Sequence, residues 1–161
     1  MTIHTTDHGF GPIETILPHR GTMLLLDRVS DCTDETLTAY ASVRADAWYA
    51  DADGAMPAWI GIELMAQAIA AHVGLLAMRA GGKARPGVLL GSRRYEAHIP
   101  AFARGAQLRI EAKELLRGDD GQGHGAYECA IHRDSVCCAE AVIKVYQPAD
   151  FQSFIEGSFG S

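Results

Sequence analysis

The run from Pro57 to Arg79, PAWIGIELMAQAIAAHVGLLAMR, constrains this chain more than any other stretch. At 3.6 residues per turn it makes about six turns of helix, apolar on nearly every side. Glu63, Gln67, His72 and the closing Arg79 are its polar interruptions. A helix without a wet face must be wrapped by protein or sit in a membrane. An ionisable residue near the start of such a helix is costly unless it has a partner or a task. Glu63 is therefore the first candidate for function.

The helix is long enough to span a bilayer. As a lone span, however, it would bring Glu63, Gln67 and His72 into lipid, where such groups are expensive. The flanking segments alternate as soluble sheet does. ETLTAYASVRA sets Leu37, Ala39, Ala41 and Val43 against Thr36, Thr38, Tyr40 and Ser42. QLRIEAKELLR sets Leu108, Ile110 and Ala112 against Arg109, Glu111 and Lys113, and SVCCAEAVIKVYQ turns Cys137, Ala139, Ala141, Ile143 and Val145 inward. TMLLLDRVSDC reads as a buried strand, and PGVLLGSRRYEAHIP as a strand bent at Gly91. GDDGQGHG is a turn that joins QLRIEAKELLR to AYECAIHR in a hairpin. A short helix is expected from Pro12 through Leu17, closed by Pro18. Residues 46–56 read as a loop, and Gly81 and Gly82 end the long helix.

Strands so close in sequence pair antiparallel, and a helix apolar all round needs a sheet curled about it. The expected fold is α+β: a curved antiparallel sheet wrapped around one long central helix over about 57–79, the arrangement called a hotdog fold. Periodicity by itself stops at one helix in a sheet. A chain of 161 residues is one domain's worth. No repeat or linker divides it; residues 1–11 and the tail from Pro148 are expected to be less ordered.

Composition narrows the function. A net charge of -6, a pI of 5.6 and no basic stripe argue against nucleic acid as a partner. The N-terminus lacks the charged and apolar regions of a signal peptide. The four cysteines, Cys32, Cys129, Cys137 and Cys138, have no CxxC spacing, so they suggest neither a zinc site nor a disulfide framework. They read as buried, reduced thiols of a cytoplasmic protein. There is no GxGxxG, phosphate loop or GxSxG elbow, and His98, His124 and His132 have no metal-ligand spacing. No metal or organic cofactor is expected.

Two stretches go beyond periodicity. LPHRGTMLLLDRV, Leu17 to Val29, resembles the N-terminal signature of the 3-hydroxyacyl-acyl-carrier-protein dehydratases of fatty-acid synthesis. Pro57 with ELMAQ, Glu63 to Gln67, resembles the central helix of the same family. Their order and spacing also fit, so the resemblance covers most of the chain. The variant PAWIGIELMAQ is similar to the divergent dehydratase-like branch encoded with aryl-polyene pigment pathways. The resemblance implies a hotdog protein that works on acyl thioesters delivered by an acyl carrier protein, with no cofactor. It also implies a homodimer, or a heterodimer with a related hotdog protein, whose sites straddle the subunits.

In that family a histidine and an acid form the catalytic pair. The acid maps to Glu63. The histidine lies in a Gly-His-Phe-Pro segment fourteen residues earlier, and that position here is Tyr49, within AWYADADG. Elimination of water needs a base for the α-proton and an acid for the hydroxyl, so the departure leaves the base unassigned.

Each candidate carries a plain alternative. Glu63, pulled upward by burial and downward by the helix's positive end, suits acid or base chemistry; otherwise it is a buried carboxylate held by a neighbour. Ala58 stands where the family uses a helix-start N–H to polarise the thioester carbonyl; otherwise that end is merely capped. Gln67, one turn beyond Glu63 on the same face, orients Glu63 or a substrate, or supports structure. His19, inside the LPHR motif, replaces the missing base or lines the acyl pocket; otherwise it is a turn histidine bonding backbone. Tyr49 could donate a proton but, with an ordinary pKa near 10, makes a poor base. His72 lies nine positions past Glu63, roughly 180° around the helix, and is expected in the core or an interface.

Three functions fit these residues. The first is dehydration of a 3-hydroxyacyl carrier protein to a trans-2-enoyl thioester in fatty-acid-like or polyene synthesis. The second is thioester hydrolysis with Glu63 alone. The third is a half-site or non-catalytic subunit that pairs with a complete dehydratase.

Overall fold

The computed structural model describes residues 10–81, 88–117 and 124–146. Eight strands and one long helix follow in order: β1 Arg28–Cys32, β2 Thr36–Ser42, β3 Met56–Pro57, α1 Gly61–Arg79, β4 Val88–Ala97, β5 Ala101–Phe102, β6 Gln107–Arg117, β7 His124–Arg133 and β8 Val136–Tyr146. Six strands form one sheet in the order β1-β2-β6-β7-β8-β4, every neighbouring pair antiparallel. β3 and β5 form a separate two-stranded pair beside the start of α1. This is the antiparallel sheet around a central helix that the alternating patterns require, the hotdog fold.

The helix meets its expected environment. Leu64, Met65, Ala68, Ile69, Ala71 and Leu75 are buried against the sheet, together with Gln67 and His72. Exposure begins only in its last turn, at Met78 and Arg79. Burying one Leu, Ile or Met side chain contributes about 1.5–3 kcal/mol, so this packing dominates the stability of the element. The run Ala58–Arg79 is long and apolar enough to cross a membrane, but here the sheet covers it. Helical hydrogen bonding begins in a single 3-10 turn at Ala58–Ile60, with α1 proper starting at Gly61 rather than Pro57.

The sheet's inner face is the set that alternation picked out on β2 and β6: Leu37, Ala39, Ala41, Leu108, Ile110 and Ala112 are all buried. Three expectations are corrected. The expected helix over residues 12–17 is one 3-10 turn, Ile13–Thr15, because a segment bounded by Pro12 and Pro18 is too short to nucleate and propagate an α-helix. TMLLLDRVSDC is a strand only from Arg28; Gly21–Met23 is a 3-10 turn and Leu24–Asp27 is irregular. On β8 the inward set is Cys138, Ala139, Ala141 and Ile143, while Cys137 is half-exposed. The cause is a bulge. Ile131 pairs with Ala139 and His132 with Cys137, so Cys138 is an extra residue and two consecutive side chains point inward.

The β6–β7 hairpin is present, although most of its turn lies outside the described residues. Register shifts beside Gly91 bear out the expected irregularity in β4. Gly81, in a left-handed conformation at φ +82°, follows the helix; Gly82 lies outside the described residues.

Candidate active site

Glu63 projects from the first turn of α1 and keeps 37% of its side-chain surface exposed, so it is half-buried rather than sealed in the core. Its Oε1 lies 3.8 Å from His19 Nε2. His19 sits in the turn after the Ile13–Thr15 segment, and the Arg20 guanidinium fastens that turn by donating to the carbonyls of Leu17 at 2.5 Å and His19 at 2.7 Å. His19 Nδ1 is buried and has no hydrogen-bond partner among the described residues. The expected alternative, a ring nitrogen tied to backbone, is not found among them. The two motifs that resemble one family thus meet at their most reactive side chains.

Gln67 explains how they are held. It is fully buried, and its amide makes four hydrogen bonds. Nε2 donates to Glu63 Oε1 at 3.1 Å and to the Met23 carbonyl at 2.7 Å. Oε1 accepts from the N–H groups of Leu25 at 3.0 Å and Leu26 at 3.3 Å. Both amide protons and both acceptor positions are satisfied, so one side chain fixes the carboxylate and the irregular Leu24–Asp27 segment together. The alternatives of orienting Glu63 and supporting structure are met at once.

Asp27 extends the anchoring. Its carboxylate accepts from the Ser42 N–H at 2.8 Å and from the Arg44 guanidinium at 3.0 Å. The Arg44 N–H in turn donates to the Tyr49 hydroxyl at 2.9 Å. Tyr49 is buried at 7% exposure, so its hydroxyl serves as a loop fastener. Trp48, exposed, packs edge-on to Tyr49 and donates its indole N–H to the Thr22 carbonyl at 2.8 Å. Between these two segments lies a groove of about 380 Å³, walled by Thr22, Leu24, Leu25, Arg44, Trp48 and Tyr49. Leu25 belongs to the groove wall and to the Gln67 anchor, so the groove is one hydrogen-bonded residue away from Glu63.

Ala58 departs from expectation. Its N–H donates to the Pro100 carbonyl at 3.1 Å, so that donor caps the chain rather than facing a ligand. Its carbonyl accepts from the Tyr95 hydroxyl, which reaches from β4 across the start of α1. Burial pushes the Tyr95 hydroxyl up to about 12. Gly61 makes this approach possible, because a Cβ there would collide with the Tyr95 hydroxyl and come within 3.1 Å of Ile131 Cδ1. Tyr95 is marked by no pattern in the sequence, and Arg20 lies in the LPHR motif without a signal of its own, although Gly61 inside an otherwise bulky apolar helix is a faint signal of close approach.

The other histidines stand apart. His72 is fully buried, with Nδ1 2.8 Å from the Tyr127 hydroxyl and Nε2 2.9 Å from the Thr33 carbonyl, a core role as expected. His132 Nε2 lies 3.4 Å from Glu111, and His98 Nε2 lies 3.2 Å from Glu140. All four cysteines are free thiols. Cys129 and Cys138 are buried, but Cys32 and Cys137 are half-exposed, which corrects the expectation that all are buried.

Comparison with solved structures finds the same architecture. The chain is similar to a protein in the dehydratase heterocomplex ApeI:P of Xenorhabdus doucetiae, at 28% identity and TM-score 0.85, covering 93% of this chain and 99% of that one. A hypothetical thioesterase of Streptococcus pneumoniae, solved with coenzyme A, shares the fold at 14% identity and TM-score 0.59, over 74% of this chain and 84% of that one. So does a mutant of the phenylacetic acid degradation protein PaaI of Thermus thermophilus, at 19% identity and TM-score 0.54, over 74% of this chain and 90% of that one. Among functionally curated proteins, none matches the chain by sequence. The family described as ApeP-like, ApeP dehydratase, matches residues 11–156, which take in the LPHR turn, the Gln67 anchor and Glu63. The chain belongs to the ApeP-like dehydratase family.

Proposed function

We propose that the protein dehydrates 3-hydroxyacyl thioesters, presented by an acyl carrier protein, to trans-2-enoyl thioesters. The observation that carries this reading is the 3.8 Å approach of His19 Nε2 to Glu63 Oε1. It supplies a base and an acid in a family whose aligned histidine is replaced here by Tyr49. His19 takes the α-proton, the electron pair forms the new C=C bond, and the C–O bond breaks as protonated Glu63 delivers its proton to the leaving hydroxyl. Water departs, leaving His19 protonated and Glu63 ionised. A proton passing between these neighbours restores the starting state. Contacts of this kind are commonly long without substrate and tighten in the complex.

The groove beside Leu25 and Trp48 is proposed to take part of the acyl chain or its pantetheine arm, its size being within the range of small-molecule sites. A second hotdog subunit completes the tunnel. The similarity to a member of a dehydratase heterocomplex supports a related partner chain. β4, an outer strand of ten residues, offers an edge for it. The free thiols support a reducing, cytoplasmic setting.

The test is mass-spectrometric turnover of a 3-hydroxyacyl carrier protein, by the chain alone and with a co-expressed companion hotdog subunit. The proposal expects an enoyl product that both Glu63→Gln and His19→Ala abolish. Loss in Glu63→Gln alone moves the base to the partner. Release of free acid instead of enoyl product makes the protein a thioesterase. Absence of turnover with and without the companion ends the catalytic reading.

A further inference from the structure

The bulge in β8 does more than turn Cys138 inward. A regular strand places residues three apart on opposite faces, yet Cys137 and Glu140 share the outer face because Cys138 is the extra residue between them. The same bulge docks a third side chain. β4 pairs with β8 as far as Ala97 and Ala139, and the next N–H, that of His98, donates to the Cys138 carbonyl at 2.8 Å. This fixes the backbone of His98 beside the re-aimed cysteine. An imidazole nitrogen, a thiol sulfur and a carboxylate oxygen consequently lie within 4.8 Å of one another, with His98 Nε2 and Glu140 Oε2 3.2 Å apart.

We propose that His98, Cys137 and Glu140 form a three-ligand site for a borderline divalent cation of the zinc type, with its fourth position taken by water. The donor set is the argument for the class of ion: one sulfur, one imidazole and one carboxylate suit zinc rather than magnesium or calcium, which prefer all-oxygen shells. The distances also suit it. Zinc–ligand bonds of about 2.0–2.3 Å at tetrahedral angles put donors about 3.3–3.6 Å apart. The His98–Glu140 pair already stands near that separation, and the Cys137 sulfur needs a rotamer shift on the order of 1 Å. A thiol binds zinc as the thiolate, so metal binding releases the Cys137 proton.

Such an ion has a structural consequence at the other end of the corner. It ties β8 to residues 98–100, and the Pro100 carbonyl of that corner accepts the Ala58 N–H at the start of the central helix. The ligands fell outside the sequence motifs because they come together through a bulge and a corner, not through a spacing.

The test uses the full chain, freed of metal by a chelator and titrated with Co²⁺ as the spectroscopic probe. The expected result is saturation at one equivalent, with the intense visible bands of four-coordinate cobalt and a thiolate-to-cobalt charge-transfer band, both reversed by Zn²⁺. Cys137→Ser removes the charge-transfer band. His98→Ala and Glu140→Gln each weaken binding by at least the tenfold typical of losing even an outer-shell partner. Cys32→Ser, which changes the other half-exposed thiol, leaves the spectrum intact. Zn²⁺ also raises the melting temperature of the wild type but not of Cys137→Ser. A six-coordinate spectrum or a charge-transfer band that survives Cys137→Ser overturns the proposal.

Discussion

The amide of Gln67 links the Glu63 carboxylate, 3.1 Å from its Nε2, to the backbone of Met23, Leu25 and Leu26. The acid of the candidate site and one wall of the adjoining groove therefore share a single fully buried anchor. Geometry at Glu63 is set from a segment some forty residues earlier, not by the helix alone.

Gln67→Leu keeps the bulk but removes every polar partner at once. It leaves the buried Leu26 N–H and the part-buried Leu25 N–H and Met23 carbonyl short of hydrogen bonds, at a cost of about 1–3 kcal/mol. It also frees the Glu63 rotamer. Urea denaturation is expected to show the loss in midpoint, and turnover under fully folded conditions is expected to fall with it. A variant as stable as wild type would mean that the anchor is redundant.

The start of α1 gives a second, separable prediction. Gly61→Ala drives a methyl group against the Tyr95 hydroxyl and Ile131, and overpacking of this kind costs about 1–3 kcal/mol. Tyr95→Phe removes the colliding oxygen together with its bond to the Ala58 carbonyl. In the double variant the clash is relieved, so the two losses add to less than their sum by about 0.5 kcal/mol or more. Strict additivity in a double-mutant cycle would show that Gly61 is small for another reason.

How much of this was legible in sequence depends on the element. β2 and β6 could be read because a half-buried antiparallel strand imposes a period of two on Leu37, Ala39, Ala41, Leu108, Ile110 and Ala112. The apolar run Leu24–Leu26 looks like a strand, but its backbone bonds go to a side chain from α1, and no local pattern encodes that. Alternation puts Cys137 on the wrong face because a bulge shifts the pattern by one residue without a composition signal. Glu63 could be singled out by its cost in an apolar helix, and Gln67 by its one-turn offset. The meeting of His19 with Glu63 could not be derived from periodicity; only the pairing of two family motifs hinted at it. The sequence leaves Ala58 open between a ligand-facing donor and a capped end, because the Pro100 carbonyl that caps it comes from a distant corner.

Alkaline stability follows from two protons held more tightly in the fold than outside it. Burial raises the Tyr95 hydroxyl from 10.0 to about 12. Burial, and then the Glu128 charge, raise the Cys129 thiol from 9.0 to about 12. The unfolded chain releases these protons first, so their contribution is complete below about pH 9 and is lost as pH rises toward 12. Melting temperature is expected to fall across that window, less steeply above pH 10 in Tyr95→Phe. Ultraviolet titration should show a late-ionising tyrosine component that shrinks in Tyr95→Phe. If that component is unchanged in Tyr95→Phe, its assignment to Tyr95 is wrong.

His72 and Tyr127 test whether the far side of the helix serves stability alone. His72 Nδ1 lies 2.8 Å from the Tyr127 hydroxyl, which donates to Glu114 Oε2 at 3.0 Å, while Nε2 donates to the Thr33 carbonyl. With His72 fully buried, no water replaces the hydroxyl lost in Tyr127→Phe, and the exposed cost is about 1–3 kcal/mol. His72→Leu in turn takes one partner from the Tyr127 hydroxyl, which keeps Glu114, and leaves the Thr33 carbonyl without the Nε2 donor. The double variant His72→Leu with Tyr127→Phe removes both partners and should cost less than the two single changes summed, since an apolar pair leaves less to satisfy. Nine residues separate His72 from Glu63, roughly 180° around the helix, so the network does not border the candidate site. Each variant is therefore expected to lower the unfolding midpoint while the folded protein keeps its turnover. A loss of turnover in folded Tyr127→Phe would mean that the helix transmits strain from one face to the other.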